Sequence, residues 1–182
     1  MNPSLSDRFW KIARAPFKKP VELEDDLHYA AITGKLWRAR CLLTEYKVNA
    51  RSSDDRALRW AARSGHANMV SLLLDFGADI NAKDGEPLVW ALTFGREDVA
   101  KVLIRRGADL GRSGFAAVYL AAEKKDYTLL TQMLDTGQNL RKPLQKLLER
   151  AQEINDAEAG GFYALALARY AKPGNPADPG MG

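Results

Sequence analysis

The chain has 182 residues, 46% of them hydrophobic and 27% charged, which is typical of one folded domain and excludes a wholly disordered chain. No run approaches the roughly 18 apolar residues of a membrane-spanning helix, and a single cysteine excludes an intrachain disulfide and a cysteine-based zinc site. The formal net charge of +4 is local, because residues 1–20 hold five basic side chains and one acidic one. We therefore expect a cytoplasmic protein with a neutral body.

The first predicted element is a basic helical arm over residues 1–20. Its apolar side consists of Phe9, Trp10, Ile12 and Ala13, and its other side is cationic. Charges and prolines interrupt every apolar pair, so the segment lacks the apolar region of a secretory signal. Three roles stay open: a cap that covers the first repeat and Trp37, a partner-binding arm, or a membrane-surface helix over residues 5–19.

An internal repeat with spacings of 30 or 31 residues fills residues 24–170. The clearest copy reads LRWAARSGHANMVSLLLDFGADINA from Leu58, and related copies begin at Leu27, Leu88 and Val118. A fifth copy surrounds Ala151. The predicted boundaries are approximately 24–50, 51–82, 83–110, 111–140 and 141–170. The tail, residues 171–182, is rich in proline and glycine and is predicted to be disordered.

Each copy predicts two helices joined by a tight turn. The first helix buries small side chains and the second carries an apolar stripe, so one pair cannot bury its stripe without a neighbour. Turn glycines recur between the helices, where a positive φ is favourable, but Lys125 and Asn155 replace them in the last two copies. Lysine is unfavourable there, so the fourth repeat is predicted to be the least regular.

These residues resemble the ankyrin repeat, whose pattern the copy from Leu58 matches nearly letter for letter in AARSGHANMVSLLLDFGADINA. The resemblance implies an all-α solenoid of about five helix-turn-helix repeats, with a helical cap at the N-terminus. Ankyrin repeats usually have a period of about 33 residues. Because the repeats here are shorter between one Asn-Ala and the next helix, we expect shortened inter-repeat turns and almost no strand.

Catalysis requires a nucleophile, base or metal cluster, and none is visible. His28 and His66, the two histidines, are interpreted as structural. Cys41 lies at the repeat position of Leu72 and is predicted to be a buried core residue. No enzyme activity, cofactor, small-molecule substrate or metal site is therefore predicted.

The candidate binding residues lie on the first helix of each repeat. In the ankyrin pattern, the resemblance implies that one position of this helix points towards the concave groove. Here that position holds large apolar side chains, and further candidates follow one turn later. The predicted partner-binding residues are Tyr29, Trp60, Trp90 and Leu120, with Arg63, Phe94 and Lys124 one turn later. Aromatic and arginine side chains are typical of binding hot spots, but the tryptophans could instead fill gaps in the core.

The function that the resemblance implies is a protein–protein interaction module. We predict a small stand-alone adaptor or inhibitor, a monomer, that binds another protein through its concave face. The alternative is a peripheral membrane or nucleic-acid-associated factor that uses the basic arm. Binding through the arm would weaken steeply with salt, whereas binding through an apolar face would not.

Overall fold

The computed structural model describes residues 20–170, in which ten α-helices and one short 3-10 turn are present and no strand occurs. The all-helical prediction is therefore confirmed for this part of the chain. The helices are α1 Pro20–Thr33, α2 Leu36–Thr44, α3 Ser52–Ser64, α4 Ala67–Asp75, α5 Ala82–Thr93, α6 Glu97–Arg105, α7 Ala116–Glu123, α8 Tyr127–Asp135, α9 Arg141–Glu153 and α10 Ala157–Tyr170. The 3-10 turn, Arg112–Phe115, precedes α7.

Consecutive helices form antiparallel pairs that stack side by side. We call the first helix of each pair inner (α1, α3, α5, α7 and α9) and the second outer (α2, α4, α6, α8 and α10). Each inner helix packs against the next inner helix, and α2, α4, α6 and α8 form a second row. The boundaries between repeats remain a prediction, but the stacked helix pairs agree with a solenoid.

One hydrophobic core runs along the whole stack. The inner helices contribute small side chains such as Ala61, Ala62 and Ala91, all fully buried, and the outer helices contribute Leu73 and Leu103. Small side chains on the inner row allow close approach of the helices, and the larger side chains of the outer row fill the remaining space.

The turns within the pairs keep a left-handed residue even where glycine is missing. Gly65 has a φ of 90°, and the replacements Lys125 and Asn155 have φ values of 52° and 56°. The inner helix before Lys125 is α7, which has 8 residues and follows the 3-10 turn. The left-handed turn before α7 includes Gly114 and Phe115, with φ of 59° and 66°, and matches the turns at the start of α3 and α5. A lower regularity of the fourth repeat stays a prediction.

Compact left-handed turns replace projecting fingers between the repeats. Ser53, Asp54 and Asp55 have φ values of 53°, 57° and 55°, and the equivalent Lys83, Asp84 and Gly85 also have positive φ. Aspartate and glycine tolerate this conformation better than most residues. The Asp55 carboxylate is buried and accepts a 2.7 Å hydrogen bond from the backbone N–H of Asp79. The structure therefore has the short inter-repeat turns that the sequence predicts. The buried hydrogen bond between Asp55 and Asp79 holds one of them in place.

Three further expectations can be compared with the structure. Cys41 is half-buried and not a fully buried core residue as predicted, because α2 has an outer-row neighbour, α4, on one side within the described residues. His28 is buried in α1, and burial lowers the pKa of its imidazole. Trp37 remains 47% exposed. The predicted N-terminal cap and the tail lie outside the described residues.

Candidate protein-binding face

Four of the predicted binding residues lie on four successive inner helices: Tyr29 on α1, Trp60 on α3, Trp90 on α5 and Leu120 on α7. Their exposure differs along the stack. Tyr29 is 53% exposed, Trp60 and Trp90 are half-buried, and Leu120 is half-buried against the core. Tyr29 is therefore the most exposed of the four, and the other three are partly covered.

Four side chains in the middle of the face form a compact group, which we call the aromatic–arginine cluster: Trp60, Arg63, Trp90 and Phe94. The two indole rings meet edge to face, with centroids 5.8 Å apart. The Arg63 guanidinium carbon lies 4.8 Å from the Trp60 ring centroid, 5.7 Å from that of Trp90 and 4.6 Å from that of Phe94. Each contact is within the range of a cation–π interaction. The structure thus brings together four of the seven predicted site residues.

A second arginine, Arg59, contacts the Trp90 ring of the cluster and is itself held by an ion pair. The Arg59 guanidinium carbon lies 5.7 Å from the Trp90 ring centroid. Its Nη1 atom forms a 2.6 Å ion pair with Glu86 of α5, and its Nε atom donates to the backbone carbonyl of Asp54. Arg59 therefore links α3 to α5 and holds the Trp90 ring. Its charge is already paired, unlike that of Arg63.

Side-chain donors near three of the turns also connect each of these turns to the inner helix of the preceding repeat. The Nε atom of Arg96 donates a 3.0 Å hydrogen bond to the carbonyl of Arg63, and Lys124 Nζ donates to the carbonyl of Leu92. His66 Nε2 donates to the carbonyl of Ile32 at 3.0 Å. We call these three contacts the carbonyl staples. They satisfy backbone acceptors at helix C-termini, and they give the predicted site residue Lys124 a structural contact.

The two ends of the face differ from its middle. At the first repeat, Lys35 Nζ lies 4.9 Å from the ring centroid of the exposed Tyr29. At the last, a groove of about 450 Å³ opens between α7 and α9, with Tyr119, Lys146, Arg150 and Ile154 among its lining residues. Ile154 is 66% exposed.

The sequence prediction missed the residues of this groove. Arg150 lies thirty residues after Leu120, and Ile154 lies thirty residues after Lys124, so the repeat spacing could have identified both. Arg59, Lys35 and Glu86 were also missed as site residues. Their role depends on contacts between repeats, for which the sequence carries no comparable signal.

Within residues 20–170 no group of three His, Cys, Asp or Glu side chains is placed to hold a metal ion. No helix in the same range is long and apolar enough to cross a membrane.

Comparisons with known proteins identify the repeat. Residues 23–84 match a family model described as ankyrin repeats, three copies. A search among curated proteins finds no significant match. Among solved structures, the chain is similar to one in the complex of Bd0816, a predatory endopeptidase from Bdellovibrio bacteriovorus, with the immunity protein Bd3460. That match has a TM-score of 0.61 and 22% identity, and it covers 78% of this chain and 80% of the other. At this identity the match shows a shared fold.

Proposed function

From the ankyrin repeats that this chain carries, we propose that it binds a partner protein through the inner-helix face, as an adaptor or inhibitor. The aromatic–arginine cluster carries this proposal. It places two indoles, a phenyl ring and an unpaired guanidinium on one face in the middle of the stack, and Phe94 is 42% exposed. Large aromatic and arginine side chains at the centre of a surface are the residue types that dominate binding energy.

The cluster is also held in place before any partner arrives. The ion pair with Glu86 holds Arg59 against the Trp90 ring. The hydrogen bond from Arg96 holds the backbone carbonyl of Arg63. Side chains that are already ordered lose less conformational entropy on binding. This supports a specific interface more than a loosely packed surface.

The structural comparison favours the inhibitor form of the proposal. In the similar solved structure, an immunity protein is in complex with an endopeptidase. For the present chain, we propose an enzyme or toxin as the partner, with inhibition by coverage of its active site. The remaining predicted contacts, Tyr29, Leu120 and Lys124, would lie on either side of the central cluster.

The test is the double substitution Trp60→Ala with Trp90→Ala. A partner is first captured from the native cell with the intact protein, purified, and titrated against the variant by calorimetry. The expected result is a loss of more than about 2 kcal/mol of binding free energy with a nearly unchanged Tm. Trp37→Ala is the matched control, since Trp37 is an exposed tryptophan on the outer helix α2.

Two results would contradict the proposal. Unchanged binding by the double variant would place the interface elsewhere. A large loss of Tm, with binding per folded molecule preserved, would show that the half-buried tryptophans act as core residues.

A further inference from the structure

We infer that the partner contacts this face through an acidic segment whose carboxylates pair with Arg63 and the cations beside it. The inference rests on the proposed function and deepens it by naming the chemistry of the partner. It is argued from the charges of the inner-helix face, from the carboxylates that are already occupied, and from the packing of the two indoles.

Arg63 is a cation without a carboxylate partner in residues 20–170. Its guanidinium lies over three rings, at 4.6 to 5.7 Å, and no acidic side chain of the described chain forms an ion pair with it. A guanidinium in cation–π contact with rings still presents N–H donors along its edge. A carboxylate, which accepts two parallel hydrogen bonds from such an edge, is the complementary group.

Three more cations extend this positive character along the face. Lys35 lies beside Tyr29, Arg96 donates to the Arg63 carbonyl, and Lys124 donates to the Leu92 carbonyl. None of the three forms an ion pair among the described residues. The face therefore combines an aromatic centre with four cations that lack counter-charges.

Three carboxylates near the face already have partners, whereas Glu123, next to Lys124 on α7, forms no ion pair among the described residues. Glu86 pairs with Arg59 at 2.6 Å, Glu97 pairs with Lys101 at 3.7 Å, and Asp126 accepts a hydrogen bond from the backbone N–H of Leu129. Arg63, which forms no ion pair within residues 20–170, is therefore available to a carboxylate of a partner. Complementary charge accelerates association and selects among partners.

Aromatic and basic residues together also occur in sites for single-stranded nucleic acid, but the packing here is different. Base stacking needs a free ring face. The Trp60 and Trp90 rings are half-buried against one another, and Arg63 lies over both. An acidic polypeptide, which needs the guanidinium edge and the rims of the rings, fits this arrangement better.

The experiment uses synthetic twelve-residue peptides and the protein's own tryptophans. One peptide repeats Glu-Leu-Ser and its matched control repeats Gln-Leu-Ser; a single-stranded oligothymidylate of twelve nucleotides is the third probe. The indole N–H signals of Trp60 and Trp90 in NMR spectra, assigned with the Trp60→Phe and Trp90→Phe variants, report binding. The Trp37 signal is the internal reference.

We expect the glutamate peptide to shift the two indole signals and to bind at least about tenfold more tightly than the glutamine peptide. Arg63→Gln should weaken that binding at least about fivefold. The control Arg105→Gln removes the same charge from an exposed position on the outer helix α6 and should leave it unchanged.

Equal binding of the two peptides, an unchanged affinity in Arg63→Gln, or no shift at millimolar peptide would overturn the inference. If the oligothymidylate binds more tightly than the glutamate peptide at the same indoles, the inferred ligand is a nucleic acid and not an acidic peptide. The captured partner separates this inference from the proposed function. If the double tryptophan variant loses the partner and Arg63→Gln keeps it, the inference of an acidic segment is wrong, and the proposal that this face binds the partner still holds. If neither variant loses it, both fail.

Discussion

Replacement of Gly65 by alanine tests whether the inter-repeat staple at Arg96 contributes to stability. Gly65 follows α3 with a φ of 90°, and a Cβ atom built on it would lie 2.9 Å from Arg96 Cδ. Gly77 is a natural control, because it has a φ of 87° and a Cβ atom there would meet nothing within 4 Å. Both substitutions therefore add the same backbone strain, and Gly65→Ala also displaces Arg96.

The expected magnitudes follow from these two contributions. An alanine in the left-handed conformation costs about 1–2 kcal/mol, which is the whole effect at Gly77. Displacement of Arg96 at Gly65 also breaks its hydrogen bond to the Arg63 carbonyl, which costs a further ~0.5–1.5 kcal/mol. We expect Gly65→Ala to lower the free energy of unfolding by about 1.5–3.5 kcal/mol in total.

Urea denaturation, followed by circular dichroism at 222 nm, measures both variants. The single variant Arg96→Ala and the double variant Gly65→Ala with Arg96→Ala complete a double-mutant cycle with Gly65→Ala. Since the clash and the hydrogen bond both involve Arg96, the double variant should lose less stability than the two single losses combined. Equal costs at Gly65 and Gly77, or additive losses in the cycle, would refute the idea that the Arg96 staple joins the two repeats.

Two further predictions concern the turns. Burial raises the pKa of the Asp55 carboxyl above its ordinary value of 3.8, so at pH values between 3.8 and the native pKa the folded chain binds a proton that the unfolded chain has released. The stability that this proton adds is present at low pH and is lost as the pH rises through the native pKa. Asp55→Asn should therefore lose less stability than the parent protein between about pH 3 and pH 7 in urea titrations; parallel curves would contradict this. Lys47 is exposed and has a φ of 52°, so Lys47→Gly should raise the free energy of unfolding by about 0.5–1 kcal/mol, and a lower urea midpoint would count against it.

The recurring glycines, alanines and leucines were sufficient to predict the helices and the turns, because each is required by local geometry. The positions of Lys125 and Asn155 illustrate this. Both occupy a turn that glycine fills elsewhere, and both take its positive φ. The hydrogen-bonding demands of two antiparallel helices set that conformation, whichever residue is present.

The side-chain contacts of the binding face could not be predicted in the same way. Arg59 and Glu86 are 27 residues apart, and Arg96 and the Arg63 carbonyl are 33 apart. Such pairs depend on how far one repeat is rotated against the next, which the repeat spacing does not specify. The spacing placed Trp60 and Trp90 on one face, but it did not show that the two indoles would lean together or that Arg63 would lie over both. Likewise, the missing residues between repeats predicted short turns without revealing their left-handed conformation.

The carbonyl staples have a consequence for how this protein could be shortened or extended. Each donor belongs to one repeat and each acceptor to the repeat before it, as with His66 and the Ile32 carbonyl. A cut made at the boundary of the sequence repeat therefore separates every donor from its acceptor at that interface. A cut inside the inner helices does not avoid this, because the Arg63 acceptor of one staple precedes the His66 donor of the staple before it. The three staples therefore overlap along the sequence, and every cut between Ile32 and Lys124 separates at least one donor from its acceptor. Libraries built by recombination should therefore keep a donor at the equivalent turn position on the C-terminal side of each crossover, so that the staple can form again.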